Sequence, residues 1–202
     1  MNSLNSKQQL FDRWAPFYDL LFPSVIYQAT HKRLLEYVDL PEDPNILDVG
    51  CGTGRLLNRL AATYSTLKGT GLDFSAPMLR QARRSNRHRP RLIFVQGNAT
   101  PLRFADQQFD AVFNTFSLLH SFEPQQVFAE SYRVLRPGGT FYLVDPTTTT
   151  PAGVDHVPVT PNGMKIYSPE MRQQMATQVG FRCLEHQYLL GRNLLSIFAK
   201  VS

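Results

Sequence analysis

The sequence predicts an α/β domain, a doubly wound and mostly parallel sheet of seven strands with helices on both faces and an antiparallel strand from a C-terminal hairpin. Three observations carry this. From residue 45 onward, short apolar runs alternate with stretches of helical period. Those runs are bounded by tight turns, which with the alternation argues for a parallel sheet covered on both faces. The last two β-rich segments are separated only by a tight turn near Gly191, which allows a hairpin.

The elements follow in order. "FDRWAPFYDLLF" places Phe11, Trp14, Tyr18 and Leu21 or Phe22 at three- and four-residue intervals, with Pro16 dividing the stripe or opening its second helix. A helical stretch from about Ser24 to Val38 ends at the Pro-rich "LPEDPN", so residues 1–44 read as a helical cap. The core, residues 45–145, opens with the strand "NILDVG" and a helix through Ala62. "LKGTGLD" is the second strand, and Ser75 caps a helix with Pro77 in its first turn, running to about Asn86. "RLIFVQG" and "FDAVFNTF" are the third and fourth strands, "PQQVFAESYRVL" is a helix stopped by "RPGG", and "TFYLVD" is the fifth strand. Residues 146–167, rich in Pro and Thr, read as a lid loop. Residues 168–202 supply a helix after Ser168-Pro169 and the hairpin Phe181–Leu189 with Asn193–Val201. Neither a repeat nor a linker divides the chain, which implies one domain of 202 residues.

Composition narrows the class. At 43% apolar the chain can fill a core, yet no run nears the roughly 18 apolar residues of a membrane span. "MNSLNSKQQL" lacks the layout of a signal peptide, and two cysteines make neither a disulfide framework nor a zinc site, so a cytoplasmic setting is expected. The net charge of +5 is uneven. Between Asp73 and Asp106 lie seven arginines (80, 83, 84, 87, 89, 91 and 103) and no acid, leaving 14 basic against 16 acidic residues elsewhere. The segment Arg80–Arg91 is therefore a candidate contact for a membrane or another anionic surface, set against a plain solvated helix end.

The chemistry centres on "ILDVGCGTGRLL". Gly50, Gly52 and Gly54 follow a strand, but the dinucleotide fingerprint wants a glycine where Arg55 stands. Asp48 lies two residues before Gly50, and Asp73 closes the second strand 19 residues after Gly54. A carboxylate at that strand end can accept both ribose hydroxyls of an adenosine ligand.

With these motifs the chain resembles a class I S-adenosylmethionine-dependent methyltransferase of the small-molecule group, near the ubiquinone and menaquinone biosynthesis enzymes. "LDVGCGTG", "GLDFSAPMLRQAR", "GNATPLRFADQQFDAV", "FSLLH" and "RVLRPGGTFYLVD" carry the likeness in order, and "FDRWAPFYD" echoes the N-terminal pattern. The resemblance implies a Rossmann-like fold and S-adenosyl-L-methionine as cofactor. It implies that Asp48, Gly50, Cys51, Gly52, Thr53 and Gly54 surround the methionine part and Asp73 the ribose. Phe74 and Met78 would pack on ribose or adenine, Asn98 and the Ala99 amide would read adenine, and Asn114 would face the ammonium. Asn98 stands where such enzymes often have Asp, which replaces a charge-assisted bond by a neutral one.

Methyl transfer from a sulfonium needs alignment above all, and a base only where the acceptor must lose a proton. His120 after the fourth strand is the first base candidate and Asp145 at the end of the fifth the second; Tyr18, Tyr27 and His31 in the cap are candidate contacts to the acceptor. His156 reads as a surface histidine. No metal ligand set is visible. "NTFS" lacks the Asn/Asp-Pro-Pro-aromatic motif of amino-methylating nucleic-acid enzymes, and neither Cys51 nor Cys183 sits in a cytosine-methylating nucleophile motif. A small, lipophilic acceptor is thus expected, and no stable nucleic-acid partner. Competing readings are a non-catalytic binding protein of the same fold, an RNA methyltransferase using the arginine segment, and an oxidoreductase using Tyr64 and Lys68. The last pair has the Tyr-x-x-x-Lys spacing but precedes the second strand, the wrong place for it.

Overall fold

The structure is a computed structural model and describes residues 9–10, 12–13, 22–150, 153–158 and 163–201. Five parallel strands, β1 (Asn45–Val49), β2 (Lys68–Asp73), β3 (Leu92–Gln96), β4 (Phe109–Thr115) and β5 (Leu135–Pro146), join β8 (Phe181–Leu190) and β9 (Asn193–Lys200) in one sheet. The order is β3-β2-β1-β4-β5-β9-β8, and β9 is the antiparallel strand. Chain direction across the sheet reverses between β1 and β4, so the ends of these two strands flank the switch point where such sheets bind ligands.

Side chains on β1 alternate: Ile46 enters a core with α1 (Phe22–Leu34), α2 (Arg55–Thr63) and α3 (Ala76–Ser85), while Leu47 and Val49 enter the opposite one. The first core packs Leu34, Leu56, Leu57, Leu60, Leu79 and Ala82 against the sheet. The second packs α4 (Pro124–Val134) and α5 (Pro169–Gln178) through Phe128, Met175 and Ala176 onto Phe141 and Phe198. Phe128 meets both rings edge-on, with centroids at 5.5 and 5.7 Å. Helices on both faces make the sheet doubly wound, as its apolar runs predict.

Two features depart from the sequence reading. β5 starts at Leu135 rather than at Thr140, because its first residue pairs with Phe109 across a bulge. The segment read as a loop contains a hairpin, β6 (Val154–Val157) with β7 (Met164–Tyr167), too short and too interrupted by Pro and Thr to show a clean period. β7 packs against the short 3₁₀ turn Leu118–His120 that follows β4. His156 is exposed on β6.

Candidate active site

All the chemistry-bearing motifs converge at the carboxyl ends of β1 to β4. Ser75 accepts the Met78 N–H and starts α3, as its sequence position predicts. The glycine loop between β1 and α2 is folded on itself and on β2. Gly50 and Cys51 donate their N–H groups to Leu72 C=O at 2.8 and 3.0 Å, Gly54 to Cys51 C=O at 2.9 Å, and Gly52 to Asp73 Oδ2 at 2.8 Å. These amides are already committed to protein acceptors, so the loop is no cradle for a pyrophosphate. Gly50, at φ +79°, lets Ser117 approach to where a side chain would stand. Gly54, at φ +74°, does the same for Phe94 and Ala82, so its missing side chain serves packing and it lines neither hollow described below. A Cβ on Gly52 would face open space.

Two adjoining hollows occupy the strand ends. The larger, about 270 Å³, is lined by Asp73, Phe74, Met78, Asn98, Ala99, Asn114 and His120, among others. The smaller, about 50 Å³, is lined by Asp48, Cys51, Thr53, Tyr27 and His31 together with Gln28, Arg55 and Leu56. Gly50, Gly52, Thr115 and Phe116 line both and mark the junction. Tyr18 lies outside the described residues, as do Phe11 and Trp14.

The two acids differ in partners and in charge. Asp73 accepts Gly52 N–H and Ser75 N–H, each at 2.8 Å, and burial nevertheless raises its carboxyl to about 6. The Ser75 hydroxyl in turn reaches Asp12 Oδ1 at 2.5 Å, bringing the N-terminal segment to the ribose end of the site. Asp48 is fully buried, its Oδ1 has no hydrogen-bond partner among the described residues, and burial with Asp73 nearby pushes it up to about 8. An orphan acid beside an open glycine face suits a cation. Cys51 is buried and its thiol is pushed up by burial and by both acids, so it is no nucleophile.

His120 ends the Leu118–His120 turn and lines the larger hollow. That turn is pinned from beneath: Leu118 N–H donates to Asn114 Oδ1 at 2.9 Å and Leu119 N–H to Asp145 Oδ2 at 3.2 Å. Asp145 is buried and raised to about 7 by burial, an effect Arg172 partly offsets. It lines neither hollow and accepts from the turn that carries His120. Arg172 is itself fully buried and donates to the carbonyls of Leu194, Asp145 and Pro146.

The residues that sequence reasoning missed are Thr115, Phe116 and Ser117. Their signal was available, since they follow Asn114 directly at a strand end. Phe116 holds φ +54°, costly for a bulky side chain, and its ring stacks on Tyr27 with centroids 4.1 Å apart. His31 Nε2 is 3.1 Å from Thr115 Oγ1, and burial lowers the imidazole to about 3, so it is neutral.

The arginine segment lies elsewhere. α3 starts at the site and its ten residues carry the chain about 15 Å away before Arg87. Arg83 donates to Phe94 C=O, Arg89 to Arg83 C=O, and Arg91 to the carbonyls of Ala61, Tyr64 and Leu67.

A strand-end site with two buried acids and a closed glycine loop, on a doubly wound sheet, is an arrangement that can hold a nucleoside. Residues 46–139 match the family model described as a methyltransferase domain. It is 33% identical over 142 residues to a 2-phytyl-1,4-naphthoquinone methyltransferase of Thermosynechococcus vestitus, covering 68% of this chain and 63% of that protein. It is 36% identical over 153 residues to a demethylmenaquinone methyltransferase of Lactiplantibacillus plantarum, covering 70% and 63%. The chain thus spans less than two thirds of the length of these curated relatives. Among solved structures, the putative methyltransferase of Haloferax volcanii, solved with its Trm112 activator, superposes with a TM-score of 0.84 over 95% of this chain and 98% of that one, at 21% identity. The fold is shared with solved methyltransferases.

Proposed function

We propose that this protein transfers a methyl group from S-adenosylmethionine to a small, lipophilic acceptor. The observation that carries the reading is the two-lobed hollow over Gly50 and Gly52, with Asp73 in one lobe and the orphan Asp48 in the other. The residues present fit that cofactor. Asp73 keeps lone pairs for ribose hydroxyls, Phe74 and Met78 offer apolar surface to the base, and Asp48 offers an acceptor to an ammonium. Asn98 and Ala99 stand at the base end, Thr53 and Cys51 at the other. Asn114 Oδ1 already accepts from Leu118 N–H, so a contact with the ammonium would use its second lone pair or the main-chain carbonyl.

When bound, S-adenosylmethionine supplies an electrophilic methyl on a sulfonium. The protein's own part is orientation, which can lower a barrier by about 7–11 kcal/mol. Phe116, fixed at the junction, gives a flat wall against which an acceptor ring can lie. His120, on the pinned turn, is the proposed base where the acceptor is a hydroxyl or carbon acid, contributing about 10²–10⁴-fold. Asp145 holds the turn that presents it. The names of the two relatives, both acting on naphthoquinone-type compounds, support an apolar ring as acceptor. Among the described residues no helix is long and apolar enough to cross a membrane. A cytoplasmic setting, with the β6–β7 hairpin and the N-terminal cap roofing the acceptor, belongs to the same proposal.

The test is incubation with S-adenosylmethionine and a panel of reduced naphthoquinones, phenols and fatty acids, read by mass spectrometry. A product heavier by one CH₂, lost in Asp73→Ala and reduced at least tenfold in His120→Ala, supports the reading. Cofactor binding without product across the panel points instead to a binding protein of this fold.

A further inference from the structure

The smaller hollow contains a group the reading above leaves idle. His31 projects from α1 into it, and α1 itself is fastened to the sheet on another face by Asn193 Nδ2 donating to Thr30 Oγ1 at 3.0 Å. The ring is more than nine-tenths buried. Its Nε2 meets Thr115 Oγ1 at 3.1 Å, and its Nδ1 has no hydrogen-bond partner among the described residues. A buried polar atom without a partner costs stability unless a ligand completes it. The same hollow holds the other orphan, Asp48 Oδ1.

The hollow has room for only a few atoms, about 50 Å³, and it opens at Gly50 and Gly52 onto the lobe assigned to adenosine. A ligand whose nucleoside fills the larger lobe therefore sends its other end here. For S-adenosylmethionine that end is an amino acid, one ammonium and one carboxylate. Once ionised beside an ammonium, Asp48 is an acceptor only and serves that group. The carboxylate needs a donor at depth, and a Thr115 hydroxyl donating to Nε2 leaves the proton of the neutral ring on Nδ1.

We propose that His31 Nδ1–H binds the carboxylate of the cofactor's amino-acid end while Asp48 binds its ammonium, so that α1 is part of the cofactor site. This rests on the methyltransferase reading and moves His31 from acceptor to cofactor. It makes the lobe a filter for ligands with an intact amino acid. Arg55, at the rim of the lobe, completes the donor set. A hydrogen bond to a charged group is worth roughly a 10- to 100-fold change in affinity.

Calorimetry with two product-like ligands tests it. S-Adenosylhomocysteine carries the amino acid, and 5′-methylthioadenosine has the same nucleoside and sulfur without it. The wild-type protein is expected to bind the first more tightly. His31→Phe should weaken the first about 10- to 100-fold and the second less than about twofold, with His31→Asn, which keeps a donor, recovering most of the loss. Thr115→Val, which frees the ring without removing it, should give a smaller loss of the same selectivity and serves if His31→Phe does not fold. Equal weakening of both ligands in His31→Phe would overturn the proposal, as would unchanged homocysteine-ligand affinity with a raised acceptor KM. Equal affinity of the wild type for the two ligands would also overturn it. Failure of the wild type to bind either would instead remove the methyltransferase reading beneath it.

Discussion

Asp48 shows how a single buried acid shapes ligand binding. With its carboxyl raised to about 8 it is protonated at neutral pH, and an ammonium placed beside it restores the charged form. Binding S-adenosylhomocysteine at pH 7 should therefore release close to one proton, measured by calorimetry in buffers of different ionisation enthalpy, and Asp48→Asn should abolish that release. The sign for stability is fixed by the same shift. A folded value above the unfolded one of about 4 means that the native state holds the extra proton. The ligand-free protein should lose stability as pH rises from about 4 to about 8, with Asp73 and Asp145 contributing in the lower part of that window. Asp48→Asn should flatten the urea midpoint across it. Phe116 poses the opposite case, strain kept for placement. Phe116→Gly relieves a left-handed backbone worth roughly 1–2 kcal/mol and loses a ring stack worth about 0.5–1.5 kcal/mol. Stability by denaturant should move by no more than about 1.5 kcal/mol, while methyl transfer falls at least tenfold.

At the level of elements, three of the six arginines of Arg80–Arg91 (Arg83, Arg89 and Arg91) donate to backbone carbonyls of the fold. Arg91 reaches across from just before β3 to the last turn of α2 and the loop after it, donating to the carbonyls of Ala61, Tyr64 and Leu67 at 3.0–3.2 Å. Arg91→Met should cost about 1–3 kcal/mol in chemical denaturation and leave S-adenosylhomocysteine affinity within twofold, because Arg91 sits at the end of the sheet away from the site. A ligand effect as large as the stability effect would contradict that separation. The turn Leu118–His120 is an element of a different kind. It is three residues long and owes its place to Asn114 and Asp145, each of which the sequence offered as a ligand or a base. A residue type suited to chemistry is equally suited to pinning a loop, and only the partner decides between them.

For the whole molecule, the decisive feature is the reversal of strand order between β1 and β4, which opens one crevice over the glycine loop. Filling it should stabilise the fold. S-Adenosylhomocysteine at about 100 times its dissociation constant adds roughly 2.7 kcal/mol, or about 5–11 °C in Tm for a chain of this size, whereas NADH should give no shift because the loop amides are committed. A shift with NADH would reverse the cofactor assignment. The strands, helices and caps of residues 45–145 were legible because apolar runs, Ser75 and the glycine–acid pair are local patterns, written in consecutive residues. Ser168 and the C-terminal hairpin were legible for the same reason. The β6–β7 hairpin was not, since its strands of four residues carry no period long enough to read. By itself the sequence determined the sheet, the nucleoside end of the site and the methyltransferase likeness. Tertiary structure alone decided that Gly54 packs while Gly52 faces open space, that Asp145 accepts from the Leu118–His120 turn, and that His31 and Asp48 share one small lobe. Those outcomes depend on what residues far apart in the chain leave unpaired when they are buried together, and no local pattern encodes an unpaired atom.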